Sequence, residues 1–178
     1  YIPNTTQGSY IPLEGARVNA RYLTKVRWNI TDRDGRFQTG QFRFKVNYAI
    51  KWERGEYDIR NGMIWQAWYN GPKQKRDWNP KVNGGKSMMD ATMHRAAHKQ
   101  FYGDNLGIRR PTGNGKTKLC YIDEKGSGIF WGDWIDYGIL PDIKIWGKDS
   151  YTGAYKKIDR VFATTTHELG HKSHWGYI

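Results

Sequence analysis

The chain has 178 residues, a formal net charge of +12, 38% hydrophobic residues and 15% aromatic residues. That length suits one ordinary domain or two small ones, and 9 Trp with 12 Tyr supply a packed core, which excludes an intrinsically disordered chain. A mean hydropathy of −0.85 and the absence of a long apolar run exclude a transmembrane helix.

The positive charge invites a nucleic-acid partner, but Lys and Arg are scattered and the densest run, Lys73-Gln-Lys-Arg76, is short. No nucleic-acid binding is expected. Solubility or association with an anionic cell surface accounts for the charge instead. The single cysteine, Cys120, permits no internal disulfide. Residues Tyr1–Tyr10 have neither a basic start nor an apolar stretch, so an export signal is expected to lie outside this sequence.

From Gly15 to about Ile59 the pattern has a period of two. Val18, Ala20 and Tyr22 alternate with polar neighbours, Val26, Trp28 and Ile30 do so again, and Phe42–Tyr48 repeats the pattern. Short alternating strands between Asp-Gly and Thr-Gly turns predict antiparallel β-structure. Thr31-Asp-Arg-Asp-Gly-Arg-Phe37 has the look of a calcium loop, but Ile30 stands where an acid is needed, so a β-turn with Gly35 at positive φ is expected. Gly15-Ala-Arg-Val-Asn-Ala20 followed by this turn resembles the carboxypeptidase regulatory-like module, a transthyretin-like β-sandwich. The resemblance implies a structural or docking accessory on an exported or surface protein, without catalytic residues. Asn70–Pro80, with two prolines, a glycine and several charges, reads as a domain boundary.

A helix is expected next. Ser87 and Asp90 have capping-box spacing, Met89, Met93, Ala96, Ala97 and Phe101 recur at helical intervals, and Gly103 follows as a stop. Lys118–Ile122 and Asp142–Trp146 read as strands. Gly113-Asn-Gly-Lys-Thr117 resembles the end of a phosphate-binding loop, but Arg110 stands at the required first glycine, which leaves a polar turn. From about Tyr155 a second helix carries Ile158, Val161, Phe162, Thr165 and Leu169 on its apolar side.

That helix bears His167-Glu-Leu-Gly-His171. Histidines four residues apart share a helix face about 6 Å apart along the axis, close enough to hold one Zn²⁺ together. Glu168, beside His167, is placed to act as a general base on water. The alternative is a pair of surface histidines on the last helix. The motif resembles that of the HExxH zinc metallopeptidases of the zincin clan, over roughly residues 80–178. The resemblance implies zinc-dependent hydrolysis of a peptide or protein substrate, with His167 and His171 as metal ligands and Glu168 as the catalytic residue. It also implies that the strand before the helix, around Ile143–Trp146, aligns the substrate.

A third ligand is needed. Metzincins place a glycine and a histidine where this chain has His174 and Tyr177, so it departs from that pattern. His174 lies about 7.5 Å beyond the ion along the axis. An imidazole with its metal bond reaches only about 6.5 Å. His94 and His98, another i, i+4 pair, are further candidates. A glutamate beyond Ile178, as gluzincins have, is the favoured account. The expected architecture is therefore α+β. An antiparallel β-sandwich occupies residues 1–72, and the N-terminal part of a zincin-type domain, a mixed sheet with an active-site helix, occupies residues 73–178. The alternative is a non-catalytic surface module whose Trp65, Trp68, Tyr69, Trp131 and Trp134 line a glycan or protein site.

Overall fold

The alternating segments become strands because a period of two buries one side of each. In a computed structural model, which describes residues 1–3, 9–103, 107, 109–111, 115–130 and 140–175, the protein is α+β with two helices. The strands are β1 (Ile2–Pro3), β2 (Tyr10–Ile11), β3 (Arg17–Tyr22), β4 (Lys25–Ile30), β5 (Val46–Lys51), β6 (Tyr57–Asn61), β7 (Trp65–Gln66), β8 (Trp68–Gln74), β9 (Thr117–Lys125), β10 (Gly128–Phe130) and β11 (Ile143–Lys148). The helices are α1 (Gly85–Tyr102) and α2 (Ile158–Trp175).

Two larger sheets form. One is antiparallel in the order β4-β3-β5-β8, and the other is mixed in the order β10-β11-β9-β6-β7. In the mixed sheet β6, β9 and β11 run parallel, while β10 and β7 are antiparallel edges. Helix α1 touches β6 and β9, α2 touches β10 and β11, and the helices touch each other, so they lie side by side on one face. One contiguous cluster of buried side chains joins both sheets, from Val18, Ile50 and Trp52 through Tyr57, Leu119 and Ile143 to Val161 and Leu169. Each fully buried aliphatic side chain of this kind contributes about 1.5–3 kcal/mol.

The boundary expected at residues 72/73 falls inside β8, and β6 from its N-terminal side pairs with β9 from its C-terminal side. Gly71 and Pro72 read as linker, yet β8 is an edge strand, where a proline without an N–H is tolerated. A register shift opposite Asn47–Ala49 absorbs the extra residue there. The strand expected from Phe42 begins only at Val46; upstream, Phe42 packs under the Arg27 guanidinium at 5.2 Å and Phe44 stacks on Tyr22 at 5.1 Å. The Thr31–Phe37 segment is the expected turn. Gly35 has φ +72° and donates to the Asp32 carbonyl at 2.9 Å, while the Asp32 carboxylate accepts from the Asp34 and Arg36 N–H groups. Of the phosphate-loop look-alike, Gly113 and Asn114 lie outside the described residues, and strand β9 rather than a helix follows.

Helix α1 buries Met89, Met93, Ala96, Ala97 and Phe101, the face that its spacing predicts. Its start differs from the expected capping box. The N-cap is Gly84, with no side-chain cap, so Ser87 already lies inside the first turn and Asp90 instead accepts from Lys86 at 2.6 and 2.7 Å. Gly103 ends the helix, its N–H bonding to the Lys99 carbonyl at 2.9 Å.

His94 is wholly buried beneath Trp52 and Tyr57. Its Nδ1 lies 3.1 Å from the Tyr57 hydroxyl and its Nε2 3.1 Å from the Glu14 carbonyl. A neutral ring with the proton on Nε2 satisfies both: the Tyr57 O–H donates to Nδ1, and Nε2–H donates to the carbonyl. Burial pushes the His94 pKa down to about 3, against the milder opposing effect of the Glu14 bond. One turn on, the His98 ring packs against Gly15, where a Cβ would stand 2.1 Å from it.

Two outcomes follow from this packing. Gly15 also has φ +77°, so Gly15→Ala combines an unfavourable left-handed alanine with overpacking, and urea melts should show a loss of about 2–4 kcal/mol. Unfolded His94 takes up its proton near pH 6.5, whereas the folded residue resists it down to about 3, so the unfolded state binds the extra proton in that window. The stability His94 contributes is therefore complete above pH 6.5 and falls as pH drops towards 3, by at most ~1.4 kcal/mol per pH unit. Asp90, raised to about 6 by burial, acts in the opposite sense, stabilising below its unfolded pKa and losing that contribution as pH rises through 6. Urea melts of wild type and His94→Gln from pH 7.5 to 4.5 isolate the histidine: the difference between the two proteins should shrink steadily as pH falls.

Candidate metal-binding groove

Helix α2 is seated by polar anchors at both ends. Before its first turn the Lys156 N–H bonds to the Gly147 carbonyl at 2.8 Å, and its ammonium reaches the Gly126 carbonyl at 2.6 Å. Near its end the buried Lys172 ammonium lies 3.9 Å from the Asp142 carboxylate, which also accepts the Lys118 N–H at 2.7 Å. Asp159 in the first turn, and Lys172 with His174 in the last, complement the helix dipole. Val161, Thr165 and Leu169 are buried, and Phe162 lies under the Arg95 guanidinium at 5.2 Å. The buried hydroxyls of Thr165 and Ser173 donate to carbonyls one turn back, at 2.8 and 2.9 Å.

This seating turns His167 and His171 outward while Glu168 is only 7% exposed. The two imidazoles are nearly perpendicular, at 87°, and their Nε2 atoms lie 3.0 Å apart. Two nitrogens bound to one tetrahedral ion at 2.0–2.1 Å would stand about 3.3 Å apart, so this spacing is close to that of two ligands of one cation. The same distance serves a hydrogen bond from one ring to the other. Both histidines and Glu168 line a groove of about 840 Å³, walled by Ser127, Gly128 and Ile129 along β10 and by Arg160 and Thr164 of α2.

Gly128 sets the width of that groove. A Cβ there would lie 2.5 Å from Glu168 Oε1 and 2.7 Å from Thr164 Cγ2, so only glycine lets the strand backbone come this close to the helix. The sequence gives little sign of this, because a three-residue strand is too short to show alternation. The substrate-aligning strand expected at Ile143–Trp146 is β11, which is hydrogen-bonded on both sides, by β10 and by β9. An interior strand has no edge to offer. Among the described residues, the edge that borders the groove is β10.

The expected third-ligand candidates separate. His94 and His98 do not approach the groove, since α1 turns that face towards Glu14, Gly15 and Tyr57 and both ring nitrogens of His94 are engaged there. Exposed His174 lies on the last turn of α2. Among the described residues no group of three or more His, Cys, Asp or Glu side chains converges as a metal site. Of the tryptophans and tyrosine expected on a binding surface, Trp65 and Trp68 are 75% and 45% exposed, whereas Tyr69 stacks on Trp78 at 6.0 Å. Trp131 and Trp134 lie outside the described residues. Compared with known proteins, the chain matches no family model, no curated protein and no solved structure.

Proposed function

We propose that this chain carries the metal-binding helix and the substrate-binding edge of a zinc-dependent peptide hydrolase of the zincin type. The observation that supports it is the convergence of His167 Nε2 and His171 Nε2 at 3.0 Å, next to Glu168, in a groove bordered by a sheet edge. His167 and His171 supply two zinc ligands, and the third comes from outside the described residues. Zinc, when bound, supplies Lewis acidity and brings the pKa of water down towards 7.

The remaining chemistry belongs to the protein. Glu168 takes the proton of the attacking water and returns it to the departing amine. Its burial beside Gly128 keeps the carboxylate aimed into the groove. The outward main chain of β10, which among the described residues pairs only with β11, would offer N–H and C=O groups to an extended peptide added as a further strand. The antiparallel sheet β4-β3-β5-β8 then serves as an accessory module, as the sequence resemblance implies, on an exported protein. A second reading, a surface that binds glycan or protein without catalysis, draws on exposed Trp65 and on Trp68, whose ring lies 5.6 Å from the Lys51 ammonium.

Zinc content and peptide cleavage distinguish the two. The full chain should bind one equivalent of zinc in atomic emission, and His171→Ala should lose it. Glu168→Gln should keep the metal while cleavage of an unfolded protein substrate falls by about 10²–10⁴-fold. Gly128→Ala should also keep the metal but cut cleavage at least tenfold by pushing β10 away from α2. Zinc binding that His171→Ala leaves intact, or full cleavage by Glu168→Gln, would remove the hydrolase reading in favour of the binding surface.

A further inference from the structure

A second cavity, of about 540 Å³, lies where the outer side of α1 meets the turn before β3, and it shares no lining residue with the α2 groove. Its walls carry Arg33, Arg54, Arg95, His98, Lys99 and Tyr102, against, among the described residues, a single carboxylate, Glu14. That carboxylate is taken by Arg33 at 3.8 Å, and among the described residues Arg54, Arg95 and Lys99 pair with no acid.

The two guanidiniums are held by aromatic faces instead. Arg54 lies 4.4 Å over the Tyr102 ring and Arg95 5.2 Å over that of Phe162. His98 stacks on Tyr102 at 5.2 Å and on His94 at 6.1 Å. Stacking fixes each guanidinium plane; Arg54 Nη1 gives one N–H to the Gly15 carbonyl at 3.4 Å, and the remaining N–H groups suit two-pronged contact with the oxygens of a tetrahedral anion. Burial lowers the Arg95 pKa, and burial, reinforced by Arg54, lowers that of His98 against the pull of Glu14. Gathering unpaired cations here costs stability, and an anion among them would offset it.

We propose that this cavity binds a phosphate group, carried on a molecule larger than the ion itself. Its cations match a dianion, and its volume exceeds what a bare phosphate fills. Glu14 distinguishes phosphate from sulfate. Inorganic hydrogenphosphate, itself a dianion near neutral pH, keeps an O–H to donate to that carboxylate, as does a singly ionised phosphate ester, whereas sulfate and a fully ionised ester offer only acceptors that it repels.

Calorimetric titration of the full chain with inorganic phosphate, at fixed ionic strength against chloride and sulfate, tests the assignment. One saturable phosphate site is expected, weakened at least tenfold by Arg54→Gln and by Lys99→Gln, with the ring resonances of His98 shifting along the same isotherm. Glu14→Gln should narrow the preference for phosphate over sulfate by several-fold. Lys99 is exposed, so its variant reports on binding even if the Arg54 variant is poorly folded, which circular dichroism would reveal. A response that never saturates, that chloride reproduces, or that survives unchanged in Lys99→Gln would overturn the proposal.

Discussion

The close seat of α2 against the edge strand β10 is the constraint on which the groove depends. A Cβ on Gly128 would meet both Glu168 and Thr164 of the helix, so the bare backbone at that position sets how near strand and helix come. Lys156 holds the start of α2 to the carbonyls of Gly126, between β9 and β10, and of Gly147 in β11, and Lys172 lies beside Asp142 just before β11. Buried ammonium groups stand in both anchors. A charge of this kind is retained only when its partners remain in place, so loss of an anchor would disturb the helix end as a whole. Apolar packing of Val161 and Leu169 supplies the stabilisation, while the polar anchors set direction.

Two histidine pairs with identical spacing meet opposite fates. His94 and His98 lie on a helix flanked by a β-module, and the ring of His94 becomes part of the core, neutral and bonded at both nitrogens. His167 and His171 lie on the outer side of a helix whose other side is buried, and their nitrogens converge in an open groove. Spacing brings two rings to one helix face in both cases. What the face looks onto decides whether they are packing groups or line an open groove. Desolvation of His94 makes protonation costly, and the hydrogen bonds to Tyr57 and Glu14 repay the burial of a neutral ring.

Charge has a similar dependence on placement. A surplus of twelve positive charges reads along the chain as scattered and without a partner. Folding draws several of them together: Arg17, Lys51 and Lys116 surround Glu53, whose carboxyl is held below its ordinary value despite the upward pull of burial, through Lys51 first and then Lys116 and Arg17. Others, Arg54, Arg95 and Lys99, gather around a cavity with little opposing charge. The first cluster gathers three cations on one buried carboxylate, and the second has room for an anion.

The sequence by itself determined the antiparallel pairing at residues 17–30, the Gly35 turn, the buried face of α1, the strands β9 and β11 and the helical register that puts His167, Glu168 and His171 together. Each rests on local periodicity or turn chemistry, which acts over a few residues and is therefore written in the chain. Tertiary structure alone decided that β6 joins β9 across the expected boundary, that β11 is interior and β10 the edge, that Gly84 rather than Ser87 begins α1, and that His94 is core. The sheet order and the burial of His94 depend on partners 13 to 80 residues away, such as Ile143 beside Phe130 and the Glu14 carbonyl on His94. Contacts over such separations are selected by collective packing, and no local pattern of residue types encodes them.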